Sequence, residues 1–120
     1  MKIDETTIAA VTGGASGLGA ATATALAERG AKVAILDMNK DLGTALAADL
    51  GGHFNAVDVT DPAQVGTALK NIRDRHGALH VLVNCAGIGT PAKTVSKGVP
   101  HDPALFAKVI GVNLLGSFNC

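Results

Sequence analysis

The sequence predicts an α/β fold, a doubly wound parallel sheet of about four strands with about four helices on its two faces. Three observations predict it. Apolar runs of strand length alternate with helix-length segments along the whole chain. The strand segments are nearly continuous in apolar residues, as strands covered on both faces must be. A glycine-rich turn, TGGASGLG at Thr12 to Gly19, joins the first strand directly to the first helix.

Each element has its own local reason. The first strand, about residues 7–11, is carried by Ile8, Ala9, Ala10 and Val11. The Ala-rich stretch after the turn reads as a helix over about 17–29, stopped by Gly30. AKVAILD, Ala31 to Asp37, is a second apolar strand closed by a carboxylate. Leu42, Leu46 and Leu50 recur every four residues and predict a second helix with one apolar stripe, ended by Gly51 and Gly52. A short third strand is expected around 53–57. The third helix has a capping residue in Asp61, Pro62 at its first position and Gln64 to complete a capping box. Val65, Leu69 and Ile72 form its stripe, and Gly77 ends it. LHVLV, Leu79 to Val83, is the fourth strand. A polar loop is expected over Ile88 to His101, and Asp102 with Pro103 opens a fourth helix. Leu105, Phe106, Val109, Ile110, Val112 and Leu114 are among its apolar positions, and it carries no stop signal before Cys120.

Composition narrows the function classes. The chain has 120 residues, room for one domain, with ten Lys and Arg against ten Asp and Glu. That balance, with no basic cluster, argues against a nucleic-acid partner. No apolar run reaches the ~18 residues that span a bilayer, and the start, MKIDETT, lacks the apolar core of a signal peptide. Cys85 and Cys120 are too few for a disulfide framework and read as reduced, buried thiols, so a cytoplasmic setting is expected. His53, His76, His80 and His101 show no ligand spacing, and no metal site is expected.

Chemistry concentrates at the carboxyl ends of the strands. A strand, a glycine turn and a helix start make a phosphate cradle, because the first helical N–H groups lack intrahelical partners. The spacing of Gly13, Gly17 and Gly19 is G-x-x-x-G-x-G, and Ala20 and Ala21 follow, where a P-loop needs Lys and Ser or Thr. Asp37, about 20 residues past the turn, can accept hydrogen bonds from both ribose hydroxyls of an adenosine and would repel a 2′-phosphate. The plain alternatives are a cap for the second helix and a solvated loop carboxylate. No basic residue stands at Ser16 or Met38 to receive that phosphate, which favours NAD over NADP. Lys93 and Lys97 could meet an acidic group such as a CoA phosphate or simply face water.

Five motifs in order resemble the short-chain dehydrogenases/reductases over essentially the whole chain: TGGASGLG, Asp37, Asp58-Val59, Asn84-Cys85-Ala86-Gly87 and Asn113 in VNLLG. Their counterparts are the family's glycine turn, its NAD-selecting acid, its adenine-contacting pair, its NNAG sequence with Cys for the second Asn, and its helical catalytic Asn. Within the family, VTGGASGLG, DVT, NCAGI, the Lys93–Gly98 loop and VNLLGSFN are most similar to the branch acting on 3-hydroxyacyl-CoA.

The resemblance implies a Rossmann-type sheet, NAD as cofactor, and hydride transfer between NAD(H) and a secondary alcohol or ketone, an acyl-CoA substrate among them. It implies cofactor contacts at Gly13, Ser16, Gly17, Leu18, Gly19, Asp37, Asp58, Val59, Asn84, Cys85, Ala86 and Gly87. It gives Asn113 a place in a proton relay through its main chain, and it implies a homo-oligomer, a tetramer or dimer. The family's proton donor is a Tyr paired with a Lys, and this sequence has no Tyr. Residues 1–120 are therefore expected to be the N-terminal, NAD-binding portion of a longer enzyme, inactive alone. The alternatives are a non-catalytic NAD-binding module and an interaction fragment.

Overall fold

The computed structural model describes residues 2–120. Four strands, β1 (Ile8–Thr12), β2 (Lys32–Asp37), β3 (His53–Ala56) and β4 (Val81–Asn84), form one sheet in the order β3-β2-β1-β4. Every pair is parallel: Ala10 lies opposite Ala34 on β2 and Leu82 on β4, and Ile35 lies opposite Phe54 on β3. The strands are connected by α1 (Gly17–Ala27), α2 (Lys40–Asp49) and α3 (Pro62–His76).

Side chains alternate across the sheet into two cores, which explains the unbroken apolar strands. Ile8, Ala10, Ala34 and Leu36 face α3, packing with Val65, Ala68 and Ile72. Val11, Val33 and Ile35 face the other way, with Ala23 of α1 and Ala47 of α2. Ile72 is wholly buried, and burial of that size contributes about 2–3 kcal/mol.

Several local expectations change in three dimensions. The buried face of α2 is Gly43 and Ala47, while Leu42 stays exposed and Leu46 and Leu50 are half-buried. A Cβ at Gly43 would stand 2.3 Å from the Phe54 ring, so the helix approaches β3 more closely than a leucine stripe allows. At α3, Asp61 caps the N–H groups of Ala63 and Gln64. Gln64 does not close a reciprocal box, because its Oε1 accepts from the Asp58 N–H at 3.0 Å and the Asp61 N–H donates to the Asp58 carbonyl.

Within the expected 88–101 loop lies a hairpin, β5 (Val95–Ser96) with β6 (Val99–Pro100), turning on Lys97 at φ 52° and Gly98 at φ 78°. Two successive positive φ angles match the twist of paired strands, so Lys-Gly makes the turn. Beyond it, α4 (Pro103–Ile110) runs through a π-helical turn (Gly111–Leu115) into a last α-helical turn, α5 (Gly116–Asn119). Its apolar residues divide: Leu105, Val109, Ile110 and Val112 are half-buried, while Phe106, Leu114, Leu115 and Phe118 are all more than half exposed. Both Cys85 and Cys120 are half-buried free thiols rather than buried ones. Among the described residues, no helix is long and apolar enough to cross a membrane.

Candidate functional site

The strand order reverses direction at β1, so the connections after β1 and β4 leave on opposite sides and a crevice opens between them. Four hydrogen bonds lace its walls together. The buried Thr12 hydroxyl, at the end of β1, accepts from the Ala86 N–H at 3.1 Å, while the Thr12 carbonyl accepts from Cys85. The Asp37 Oδ2 accepts from the Ala15 N–H at 3.0 Å, joining the end of β2 to the glycine turn. The Asp37 carbonyl takes the Val57 N–H at 3.1 Å.

Glycine is required in the turn by space as well as by angle. Gly13 has φ 61°, and a Cβ there would lie 2.8 Å from the backbone of Ala86. A Cβ on Gly19 would meet the Gly13 carbonyl at 2.0 Å, so the start of α1 sits directly on the turn. Above Gly17 there is open space.

The helix starts separate by capping. Asn39 caps α2, Asp61 caps α3 and Asp102 caps α4, each with its side chain. Ser16 makes no side-chain bond to the start of α1, and no acid lies in that first turn. The N–H groups and positive dipole end of α1 are therefore left for an anion in the cleft, an arrangement worth about 0.3–2 kcal/mol per charge.

The cleft holds about 810 Å³, within the usual range for small-molecule sites. Of the sequence-predicted residues, Gly13, Ser16, Gly17, Leu18, Gly19, Asp37, Asp58, Val59, Cys85, Ala86 and Gly87 line it. Asn84 does not. It belongs to β4, opposite Thr12, and is exposed there outside the lining. Asn113 is not in the lining either, but its amide grips Ile88, which is: Oδ1 accepts from the Ile88 N–H and Nδ2 donates to the Ile88 carbonyl, both at 2.9 Å.

The Asp37 Oδ1 accepts from the Asn39 N–H at 2.9 Å. Each carboxylate oxygen thus has one protein partner and a spare lone-pair direction. Asp58 Oδ1 accepts from the N–H and hydroxyl of Thr60, which holds the loop after β3 in a tight turn.

Sequence reasoning missed Lys108, Gly111 and Val112, which bring α4 and the π-helical turn to the cleft, and also Thr60 and Ile88. Lys108 is the one cation in the lining, against Asp37 and Asp58. Its place on the helix that leads to Asn113 was the available signal, since Asn113 Oδ1 stands 3.5 Å from where a Cβ on Gly87 would be. A second groove, about 460 Å³, lies between β3 and α3 beside Asn55, Gln64 and Asn71. It is open and carries no charged group. Among the described residues, no group of three or more His, Cys, Asp or Glu could hold a metal ion.

Residues 7–120 match the short chain dehydrogenase family. The chain belongs to that family. Relatives named 3-hydroxyacyl-CoA dehydrogenase type-2, from Drosophila melanogaster and Homo sapiens, are each 44% identical over 116 residues. The match covers 93% of this chain in both cases, with 46% of the Drosophila protein and 44% of the human one. The chain therefore spans about half the length of the curated relatives it matches. A crystal structure of ribose-5-phosphate isomerase from Brucella melitensis 16M superposes with a TM-score of 0.84 at 35% identity. That match covers 95% of this chain and 43% of the other. One architecture under different activity names means that the reaction has to be argued from the cleft.

Proposed function

We propose that this stretch is the cofactor-binding half of an NAD-dependent oxidoreductase that moves a hydride between NAD(H) and a secondary alcohol or ketone, with 3-hydroxyacyl-CoA as the substrate class. The observation that carries the reading is Asp37, held in the cleft by Ala15 and Asn39 with a lone pair to spare on each oxygen. Two spare acceptors on one carboxylate suit the two hydroxyls of a ribose. The residues fit the cofactor on a second count: the space above Gly17 and the uncapped start of α1 accept a pyrophosphate.

In this reading Gly13, Ser16, Gly17, Leu18 and Gly19 cradle the pyrophosphate, Asp37 takes the adenosine ribose, and Asp58 with Val59 meets adenine. Cys85, Ala86 and Gly87 form the floor toward the nicotinamide side. When bound, NAD supplies the hydride acceptor at its nicotinamide ring. Asn113 acts as a positioning residue, since its amide is committed to Ile88 and its own carbonyl accepts from the Ser117 hydroxyl at 3.0 Å. The alcohol proton needs an acid–base group. The family's Tyr is absent from these 120 residues, so we assign them cofactor binding and expect no turnover from them alone. Identity of about 44% to two 3-hydroxyacyl-CoA dehydrogenases supports the substrate class. The uncovered apolar side of α4 and α5 supports a further protein surface against it, as in a homo-oligomer.

NADP differs by a phosphate of nearly two charges beside Asp37. At 4 Å and an effective dielectric of 20, each like-charge pair costs about 4 kcal/mol, well above the ~1 kcal/mol of a single hydrogen bond. Calorimetric titration with both cofactors therefore tests the reading: NAD should bind and NADP should bind at least tenfold more weakly. Tighter binding of NADP would overturn the assignment of NAD.

A further inference from the structure

Two residues of α5, on the same face at i and i+3, hold Val59 from two directions. Asn119 Nδ2 donates to the Val59 carbonyl at 2.9 Å across 60 residues of sequence. Gly116 is buried against the Val59 side chain, and a Cβ on it would stand 2.6 Å from Val59 Cγ2. No larger residue leaves α5 at this distance.

Val59 is buried in the core beside α3, at a corner whose other backbone groups are tied within the loop. The Asp58 N–H goes to Gln64, the Thr60 N–H to Asp58 Oδ1, and the Asp61 N–H to the Asp58 carbonyl. The Val59 N–H is not among the donors used there. The Val59 N–H shares a trans peptide plane with the Asp58 carbonyl, which the Asp61 N–H holds at 3.0 Å, while the α5 contacts hold the Val59 side chain and carbonyl on the other side of its Cα. The α5 contacts therefore fix where Val59, a residue of the cleft lining, stands relative to its neighbours.

We propose that Asn119 and Gly116 are positioning residues for base recognition: they clamp Val59 so that its N–H and the Asp58 side chain together read the edge of an adenine ring. This rests on the dinucleotide reading of the cleft. A clamp of this kind controls which purine is accepted, because an adenine edge presents a donor beside an acceptor while a hypoxanthine edge presents the reverse.

The test is calorimetric titration of the purified protein with AMP and with IMP, alongside thermal melts. The wild type should prefer AMP. Asn119→Asp, which keeps the shape and removes the donor, should raise the AMP Kd about tenfold and leave the IMP Kd nearly unchanged, so the preference collapses. Asn119→Gln should recover most of it. Gly116→Ala, which pushes Val59 from the other side, should produce the same collapse and serves if Asn119→Asp does not fold. A variant that melts lower but keeps the wild-type ratio of AMP to IMP affinity overturns the clamp and leaves the dinucleotide reading standing. A wild-type protein that binds neither nucleotide overturns both.

Discussion

The Asp37 carboxylate and the Ala15 N–H, 22 residues apart in sequence, lie 3.0 Å from each other and join the end of β2 to the glycine turn. One residue therefore shapes the turn and presents charge to the cleft.

Replacing Asp37 with Ala should remove both effects. We expect NAD to bind about tenfold more weakly, from the loss of charge-assisted hydrogen bonds, and NADP to gain as the like-charge repulsion disappears. Titration of both cofactors on Asp37→Ala checks this. Undiminished preference for NAD in the variant would take Asp37 out of the cofactor site.

Asn113→Leu removes two hydrogen bonds to Ile88 in one step. The Ile88 N–H and carbonyl then lose their partner beside the π-helical turn, at a cost of about 1–3 kcal/mol. The expected readouts are a lower Tm and faster amide exchange at Ile88, with α1 and β1 protected as before. Unchanged exchange at Ile88 would show that the turn holds without its amide.

Two glycines in helices should respond with opposite signs to alanine. Gly66, on the exposed side of α3, has nothing within 4 Å of an added Cβ, so Gly66→Ala should stabilise by about 0.5–1 kcal/mol through helix propensity. Gly43 gains the same propensity, but its Cβ would overlap two atoms of the Phe54 ring, at 2.3 and 2.4 Å. Overpacking costs about 1–3 kcal/mol, so Gly43→Ala should be net destabilising. Denaturant midpoints of the two variants moving the same way would contradict this packing.

Acid should loosen the lower edge of the sheet. The ring nitrogens of His53, on β3, and His76, at the end of α3, approach to 3.4 Å. Burial, with Arg75 and His76 nearby, pushes His53 down to about 4 from its usual 6.5. His76 is also lowered, by burial, Arg75 and Lys32. A histidine with a depressed folded-state pKa favours the folded protein above its unfolded pKa and penalises it as pH falls. Stability should therefore decline between pH 6.5 and about 4. The loss is about 1–2 kcal/mol once the half-exposed ring is discounted for solvent screening. Tm against pH checks it, and His53→Phe should flatten that segment of the curve. An unaltered slope in His53→Phe would assign the acid sensitivity elsewhere.

The parts of this fold that were legible in the sequence are those with local causes. Asp61 and Asp102 announced helix starts because a cap bonds within three residues of itself. The turn at Gly13 and Gly17 was legible because positive φ angles select glycine whatever the surroundings. Lys97-Gly98 was equally local, and the hairpin was missed only because its strands are two residues each.

Other features have no local cause. The spacing of Leu42, Leu46 and Leu50 did not reveal that Gly43 and Ala47 make the closest approach of α2, with Leu46 and Leu50 packed beside them and Leu42 exposed, since the β3 side chain Phe54 decides how close that helix can lie. Asn84 sits inside a cofactor motif, yet it is exposed on β4 outside the cleft lining.

The sequence by itself determined the order of strands and helices, the glycine turn and the carboxylate at the end of β2. Each is set by backbone angles, capping bonds and apolar period within a few residues. Tertiary structure alone decided that Asn119 reaches Val59 across 60 residues, that Asn113 grips Ile88, and that His76 meets His53. Those pairs exist only once parallel strands have set the distances between helices, and no short-range pattern encodes a distance between segments that first meet in the folded sheet.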